Sequence, residues 1–299
     1  MNRFAGSVAV ITGAASGLGF ALAQEAQKHG CKLVIADIRQ EALQDARAHL
    51  CNGGETFACV ADVAKAEDVE MLAAKTVERY GKVNLLFNNA GVFASGISWE
   101  VSLEEYEWII GVNQRSVIHG IRAFVPRMIA QADPCHVVTI ASGAGITVNP
   151  GFCTYSMTKH AVVALTEALY LDLSAQGIGN IGVTIAMPGM SQSGIMSPEK
   201  TTPSFLQAEV GKRKVNPLLN ALETLMTAGV AGGLPAAELA REVFEAIAHD
   251  QLYVLPAFQD DSNRDFASAV GIGRATGQNP YPQVLGNFLS TLKSIEQAP

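Results

Sequence analysis

Tyr155 and Lys159 stand four residues apart in the run Tyr-Ser-Met-Thr-Lys, and Ser142 precedes the tyrosine by thirteen residues. On a helix, residues i and i+4 share a face, so the ammonium can lie near the phenol. A phenol titrates near ~10, and work near neutrality asks for a shift of roughly 3 units, about 4 kcal/mol. A fixed neighbouring cation stabilises the phenolate and supplies part of that shift. A serine hydroxyl nearby can hold an oxygen on which negative charge develops. The chemistry on offer is proton exchange with a hydroxyl or carbonyl oxygen. By itself the Tyr-x-x-x-Lys spacing also describes an ordinary solvated helix face, so its meaning depends on the elements around it.

Those elements alternate. Short apolar runs at 8–12, 32–37, 56–60, 83–88, 136–141, 181–187 and 252–255 read as strands. Helical spacing fills 17–29, 40–50, 65–80, 103–129 and 154–176, with Gly30 and Gly81 placed to stop the first and third helices. Strands apolar on both faces and separated by helices predict a parallel sheet covered on both sides. The expected fold is α/β: a Rossmann-type, doubly wound, seven-stranded parallel sheet in a single catalytic domain over 1–256. A segment at 191–233, rich in Pro, Gly, Met and Leu, breaks the rhythm as a lid, and 257–299 forms a C-terminal extension.

The first strand runs into Thr12-Gly13-Ala14-Ala15-Ser16-Gly17-Leu18-Gly19 and then a helix. Glycines there let the backbone approach a pyrophosphate, and the helix N-terminus supplies amides and a favourable dipole. The spacing is Gly-x-x-x-Gly-x-Gly, and its position between strand and helix makes it a dinucleotide site. Asp37 ends the second strand, where a carboxylate can bind both ribose hydroxyls of NAD and repel a 2′-phosphate. An ordinary cap on the following helix is the structural alternative. Arg39 argues for NADP, but no Arg or Lys lies in 13–17, so NAD is expected over NADP.

Bulk properties narrow the function classes. The 299 residues are 48% hydrophobic and 16% charged, with a net charge of −7, which disfavours nucleic-acid and anionic-membrane surfaces. No signal peptide or membrane-length apolar run is evident. The five scattered cysteines carry no metal spacing and fit a reducing, cytoplasmic setting. No metal site is expected.

Taken together, Thr12-Gly13-x-x-x-Gly17-x-Gly19, Asp62-Val63, Asn88-Asn89-Ala90-Gly91, Asn113, Ser142, Tyr155-x-x-x-Lys159 and Pro188-Gly189 resemble the short-chain dehydrogenase/reductase family over about 7–256. The resemblance implies roles. Tyr155 is the acid/base, and Ser142 binds the reacting oxygen. Lys159 lowers the tyrosine pKa and holds the nicotinamide ribose, while Asn113 holds a water that links Lys159 to solvent. Gly13, Ser16, Gly17, Leu18 and Gly19 hold the pyrophosphate, and Asp37 and Arg39 meet the adenosine ribose. Asp62 accepts from the adenine amine and the Val63 backbone takes the ring nitrogen. Asn89, Ala90 and Gly91 line the cleft, and Pro188, Gly189, Ser191 and Ser193 open the segment over the nicotinamide. The family often has valine or isoleucine at 191 and threonine at 193; serine at both places leaves the amide side less defined.

The expected substrate is a bulky apolar secondary alcohol or its ketone, aryl-substituted forms included. Met196, Phe205, Leu206, Leu218, Leu219, Leu222, Leu225 and Met226 supply an apolar lid, with 216–226 read equally as a helix packed on the core. Phe152, Cys153, Val92, Phe93 and Trp99 are further candidates for the cleft. The runs 108–113, 124–130 and 252–256 resemble the Cα-dehydrogenases of lignin-derived aryl ethers. Two other classes share this fold: a lyase or dehalogenase that reuses Ser142 and Tyr155, and an NAD-sensing regulator. The intact nucleotide loop speaks against the first, and the complete Asn113, Ser142, Tyr155 and Lys159 set against the second. The resemblance implies that the long helices at 103–129 and 154–176 pair between subunits, giving a homodimer or homotetramer, and the apolar spacing of Val284, Leu285, Phe288, Leu289 and Leu292 suits a tail packed on its own subunit or on a neighbour.

Overall fold

The structure is a computed structural model that describes residues 4–197, 201–204, 206, 216–282, 285, 286 and 289. Seven parallel strands lie in the order β3-β2-β1-β4-β5-β6-β7. They are β1 (Val8–Thr12), β2 (Lys32–Asp37), β3 (Thr56–Val60), β4 (Leu85–Asn88), β5 (Cys135–Ile140), β6 (Ile181–Ala186) and β7 (Tyr253–Val254). Every residue of β1, β4 and β5 is buried, as expected for strands covered on both faces. The chain starts in the middle, winds outward to β3, returns to β4 beside β1, and winds outward again to β7. That reversal opens a crevice at the carboxyl ends of β1 and β4, where such sheets bind ligands.

The helices are α1 (Gly17–Lys28), α2 (Gln40–Leu50), α3 (Ala66–Tyr80), α4 (Leu103–Ile109), α5 (Ser116–Gln131), α6 (Cys153–Ala175), α7 (Pro217–Ala231), α8 (Ala236–Ala248) and α9 (Asp261–Thr276). Gly30 (φ +79°) and Gly81 (φ +75°) adopt the left-handed conformation just beyond α1 and α3, which ends those helices where the sequence predicts. A capping box starts α4: the Ser102 hydroxyl accepts from the Glu105 N–H, and the Glu105 carboxylate accepts from the Ser102 N–H.

Three helical features depart from the sequence reading. The helix expected over 103–129 is interrupted by a π turn at Ile110–Arg115 that holds Asn113. An extra residue in a helix turns everything after it by about 100°, and such turns favour functional positions. The second is α8, which the sequence reading does not assign. It buries Leu239, Val243, Phe244 and Ile247 against α1, and Phe244 stacks on Phe87 of β4 with ring centroids 5.5 Å apart. Each fully buried side chain of this kind contributes about 1.5–3 kcal/mol. The opposite face of the sheet is covered by α3 and α5 through Leu72, Phe124 and Met128.

In the extension, α9 is a third element beyond the predicted set. Of the predicted row at 284–292, only Leu285 and Leu289 lie among the described residues; both are helical and exposed. Among the described residues no helix is long and apolar enough to cross a membrane, and no cluster of His, Cys, Asp or Glu suits a metal.

Candidate active site

The loop after β1 is stitched to the loop after β4. The Thr12 hydroxyl accepts from the N–H groups of Asn89 (3.0 Å) and Ala90 (3.1 Å), and the Asn89 amide donates to the Thr12 carbonyl (2.8 Å). Gly13 and Gly17 have φ of +65° and +55°, a region that L side chains rarely occupy. A side chain at Gly13 would press to 2.9 Å from the Ala90 Cα, and one at Gly19 would overlap the Gly13 carbonyl oxygen. The backbone therefore turns tightly into α1 with no side chain between it and the crevice, a cradle suited to a pyrophosphate. Ser16 caps α1 without a side-chain bond to it. Its hydroxyl instead accepts from Arg39 at 2.9 Å.

Asp37 is 6% exposed at the end of β2. Its carboxylate accepts from the Ala15 N–H (3.2 Å), the Arg39 N–H (3.0 Å) and the Arg39 guanidinium (3.1 Å). Asp37 thus pins the glycine loop and the start of α2, and it also faces the crevice. Asp62 accepts from the Ala64 N–H at 3.0 Å, which tightens the turn after β3, and its own N–H donates to Asp68 at 2.9 Å.

Tyr155 and Lys159 lie on the first two turns of α6, both inside the protein. Burial pushes the phenol above its usual range, and a hydrogen bond with Ser142 pulls the other way. Burial brings the lysine down to about 8. Its ammonium donates to the Ile140 carbonyl (2.9 Å) at the end of β5 and sits 5.6 Å from the Tyr155 ring centroid. The expectation that the lysine lowers the phenol meets a stronger opposing effect: desolvation dominates in the dry first turns of α6. Ser142 itself is oriented by the Ala144 N–H, which donates to its hydroxyl at 3.2 Å.

Asn113 is 1% exposed and lies behind the crevice wall. Its side chain binds both backbone groups of Val92 (2.8 and 2.9 Å) and donates to Thr158 (3.2 Å). It joins the π turn, the loop after β4 and α6 into one unit. A side chain on Gly91 would stand 3.6 Å from the Lys159 ammonium, so glycine there keeps that corner open.

Every other predicted site residue lines one continuous cleft of about 1360 Å³: Gly13, Ser16, Gly17, Leu18, Gly19, Asp37, Arg39, Asp62, Val63, Asn89, Ala90, Gly91, Ser142, Tyr155, Lys159, Pro188, Gly189, Ser191 and Ser193. Drug-sized pockets hold roughly 300–1,000 Å³, so this cleft has room for a dinucleotide and a second molecule. The Pro188 carbonyl accepts from the Gly143 N–H (3.0 Å), which ties the segment after β6 to the Ser142 turn. Ser191 pairs with Leu234, and Ser193 lies 3.5 Å from where a Gly17 side chain would begin. The 191–196 stretch thus closes over the glycine loop.

Beside Tyr155 the wall is apolar. Phe93 meets the rings of Phe152 (5.1 Å) and Tyr155 (5.2 Å) edge to face, and Leu219, Leu222, Ile195, Met196 and Met226 complete the cluster. Ser95 donates to Glu223 at 2.5 Å and fastens α7 to the loop after β4. Trp99 is 85% exposed and does not line the cleft, and neither does Cys153; Val92, Phe93 and Phe152 do. Phe205 lies outside the described residues. Sequence reasoning missed Thr147 and Asn149 before α6, and Asn263 and Phe266 from α9. No local motif marks them, since the extension reaches the cleft only through tertiary folding. Ala257 packs on Gly189, and Arg274 contacts His160 at 3.2 Å, so both ends of α9 are anchored beside the site.

The model of the short chain dehydrogenase family matches residues 7–203. The chain is a member of the short-chain dehydrogenase/reductase family. It is 33% identical over 258 residues to a C alpha-dehydrogenase of Sphingobium sp. (strain NBRC 103272 / SYK-6), covering 86% of this chain and 82% of that one. It is 30% identical over 256 residues to a CLA biosynthesis dehydrogenase/reductase of Lactiplantibacillus plantarum, with 85% and 89% covered. A crystal structure of a short-chain dehydrogenase/reductase from Burkholderia phymatum in complex with NAD superposes with a TM-score of 0.86 at 37% identity, covering 94% and 98%. The short-chain dehydrogenase fold therefore extends through α7, α8 and α9, well past the span of the family model.

Proposed function

We propose that this short-chain dehydrogenase is an NAD-dependent oxidoreductase that interconverts a bulky apolar secondary alcohol, aryl-substituted, and its ketone. One observation carries the reading: Ser142, Tyr155 and Lys159 line the same cleft as the glycine loop and Asp37, beside an aromatic and aliphatic wall. When bound, NAD supplies the acceptor or donor for the hydrogen on the carbinol carbon. The rest is done by the chain. Tyr155 exchanges the proton with the substrate oxygen. Ser142 donates to that oxygen as charge develops on it. Lys159, charged below about pH 8, favours the phenolate and reaches toward the nicotinamide ribose. Asn113 has its side chain occupied by Val92 and Thr158, so the water that links Lys159 to solvent falls to its main-chain carbonyl in the π turn. Asp62 and the Val63 backbone meet the adenine, and Pro188, Gly189, Ser191 and Ser193 cover the nicotinamide.

NAD is favoured over NADP because Asp37 occupies the ribose edge and holds Arg39 on its own carboxylate. The NAD complex of the Burkholderia phymatum relative is in keeping with this. Asp37→Ala is expected to raise KM for NAD several-fold while KM for NADP holds or falls, since the freed Arg39 can then accept a 2′-phosphate. Equal effects on both KM values would refute the assignment.

The aryl character of the substrate rests on the Phe93, Phe152 and Tyr155 rings and on the likeness to the Sphingobium C alpha-dehydrogenase. Phe266 of the extension is half-buried and lines the same cleft. Phe266→Ala should lower kcat/KM about tenfold for two-ring ketones and leave a one-ring ketone within about twofold; a uniform loss would contradict it.

A panel of secondary alcohols with NAD, read by the absorbance of the reduced dinucleotide, tests the reaction class. Binding of NAD with no turnover of any alcohol or ketone would favour a regulatory protein instead. We also place the enzyme in the cytoplasm as a homodimer or homotetramer. The exposed Met157, Tyr170 and Leu171 of α6 support pairing, and a monomeric sedimentation mass would rule it out. The catalytic domain is assigned to 1–256, with 191–233 as its lid and 257–299 as a C-terminal extension packed on the same domain or on a neighbouring subunit.

A further inference from the structure

We propose that His119 is a positioning residue for the purine end of the cleft and acts through one peptide plane on Asp62. The inference rests on the reading that Asp62 and Val63 meet the adenine. His119 lies on the first turn of α5, just after the π turn, with its Nδ1 3.0 Å from the Val63 carbonyl oxygen. A carbonyl can only accept, so that ring nitrogen carries the hydrogen and donates. The other side of the same peptide unit is the Ala64 N–H, which donates to Asp62 Oδ1 at 3.0 Å. The result is a chain: imidazole N–H to the Val63 carbonyl, and the Ala64 N–H of that peptide to the carboxylate. Hydrogen bonds in such a chain polarise one another.

The chain fixes how the carboxylate sits. Asp62 also has its own N–H held by Asp68 at 2.9 Å, and its ion pair with Lys65 is long, at 3.8 Å. With Oδ1 drawn to the turn by Ala64, Oδ2 has no shorter partner than that lysine among the described residues. Asp62 and Val63 both line the cleft. A carboxylate oxygen held there is an acceptor for an exocyclic amine on a purine and repels a carbonyl oxygen in its place. Backbone of the π turn closes in from the same side: a side chain on Gly111 would stand 3.3 Å from Ala64 Cβ. The π turn thus sets the rotation of α5 that aims His119 at this peptide, in addition to placing Asn113 against Val92 and Thr158.

The test compares equilibrium binding of NAD with that of nicotinamide hypoxanthine dinucleotide, which has a carbonyl oxygen where adenine carries its amine. Dissociation constants come from titration calorimetry, so turnover plays no part. The wild-type protein should prefer NAD by about tenfold, the scale of one hydrogen bond to a charged group. His119→Phe keeps the ring and removes both nitrogens; it should reduce the preference to within about threefold. His119→Asn sets an amide N–H near the place of the imidazole Nδ1 and should restore most of it. Asp62→Asn, which offers the amine a weaker acceptor, should also lower it. If His119→Phe fails to fold by circular dichroism, His119→Leu is read in the same way. A preference that Asp62→Asn lowers and the His119 variants leave at the wild-type value overturns the proposal alone. A preference that Asp62→Asn leaves unchanged overturns the adenine assignment and the proposal with it. A purely structural role for His119 would weaken both dinucleotides together and keep their ratio, which also overturns it.

Discussion

Tyr155→Phe is expected to lower kcat by about 10³, within the usual range for losing a positioned acid–base group, while NADH affinity stays within about twofold. The separation follows from the contacts. The phenylalanine ring keeps the edge-to-face packing with Phe93 and its place in the apolar cluster. Ser142 keeps the Ala144 N–H as a donor to its hydroxyl, so the serine is not left adrift. Only the exchangeable proton is gone. The pH dependence is also diagnostic. Burial raises the phenol, with the Ser142 hydrogen bond opposing, so the neutral phenol is the resting form at pH 7. That form is ready to donate to a ketone; alcohol oxidation needs its conjugate base. Oxidation should therefore accelerate as pH rises above 7 in the wild type, and this rise should vanish in Tyr155→Phe. Pre-steady-state rates with NADH titrations measure both. Residual turnover within tenfold of the wild type would contradict the assignment.

Lys159→Met should abolish most of the activity, by about 10² or more, without lowering stability at pH 7. The sign follows from linkage. Burial takes the lysine from 10.5 to about 8. The unfolded chain therefore binds more protons than the folded one between those values, and stability rises with pH across that window. Below about pH 8 the folded state carries the whole cost of a desolvated cation, on the order of 3 kcal/mol. Against this stands the hydrogen bond to the Ile140 carbonyl, whose loss costs roughly 1–3 kcal/mol in a buried setting. The first effect matches or exceeds the second. Thermal unfolding at pH 7 should place Lys159→Met at or above the wild-type Tm, and the wild type should gain on it as pH approaches 10. A variant markedly less stable at pH 7 would show that the ammonium is well paired in the folded state, contrary to its buried surroundings. Stability given up at a catalytic position is a common trade in enzymes.

Much of this architecture was readable from residue order. The first three strands match their predicted limits residue for residue, because each is an apolar run bounded by charge or turn residues. β5, β6 and β7 differ at their ends by one residue, where pairing rather than composition decides. The glycine loop, Asp37, Ser142 and Tyr155 declare themselves because each sits at a strand end or helix start. The π turn was hidden, since one additional residue leaves the apolar pattern of 103–129 nearly intact. α8 was missed although Leu239, Val243 and Ile247 repeat every four residues; the irregular lid before it obscured the rhythm. Asn263 and Phe266 reach the cleft, and His119 reaches the Val63 carbonyl, through contacts between distant elements, which no local spacing encodes. The balance of charge effects at Tyr155 was also out of reach, because it depends on how dry the start of α6 is.

The central claim is that the carbinol hydrogen moves directly to a nicotinamide while Tyr155 handles the hydroxyl proton. A secondary aryl alcohol carrying deuterium at its carbinol carbon, oxidised with NAD in ordinary water, tests it most directly. The account predicts that mass spectrometry finds one deuterium in the reduced dinucleotide for each ketone formed, with none in the solvent. Deuterium released to water, or ketone formed without reduced dinucleotide, would contradict it.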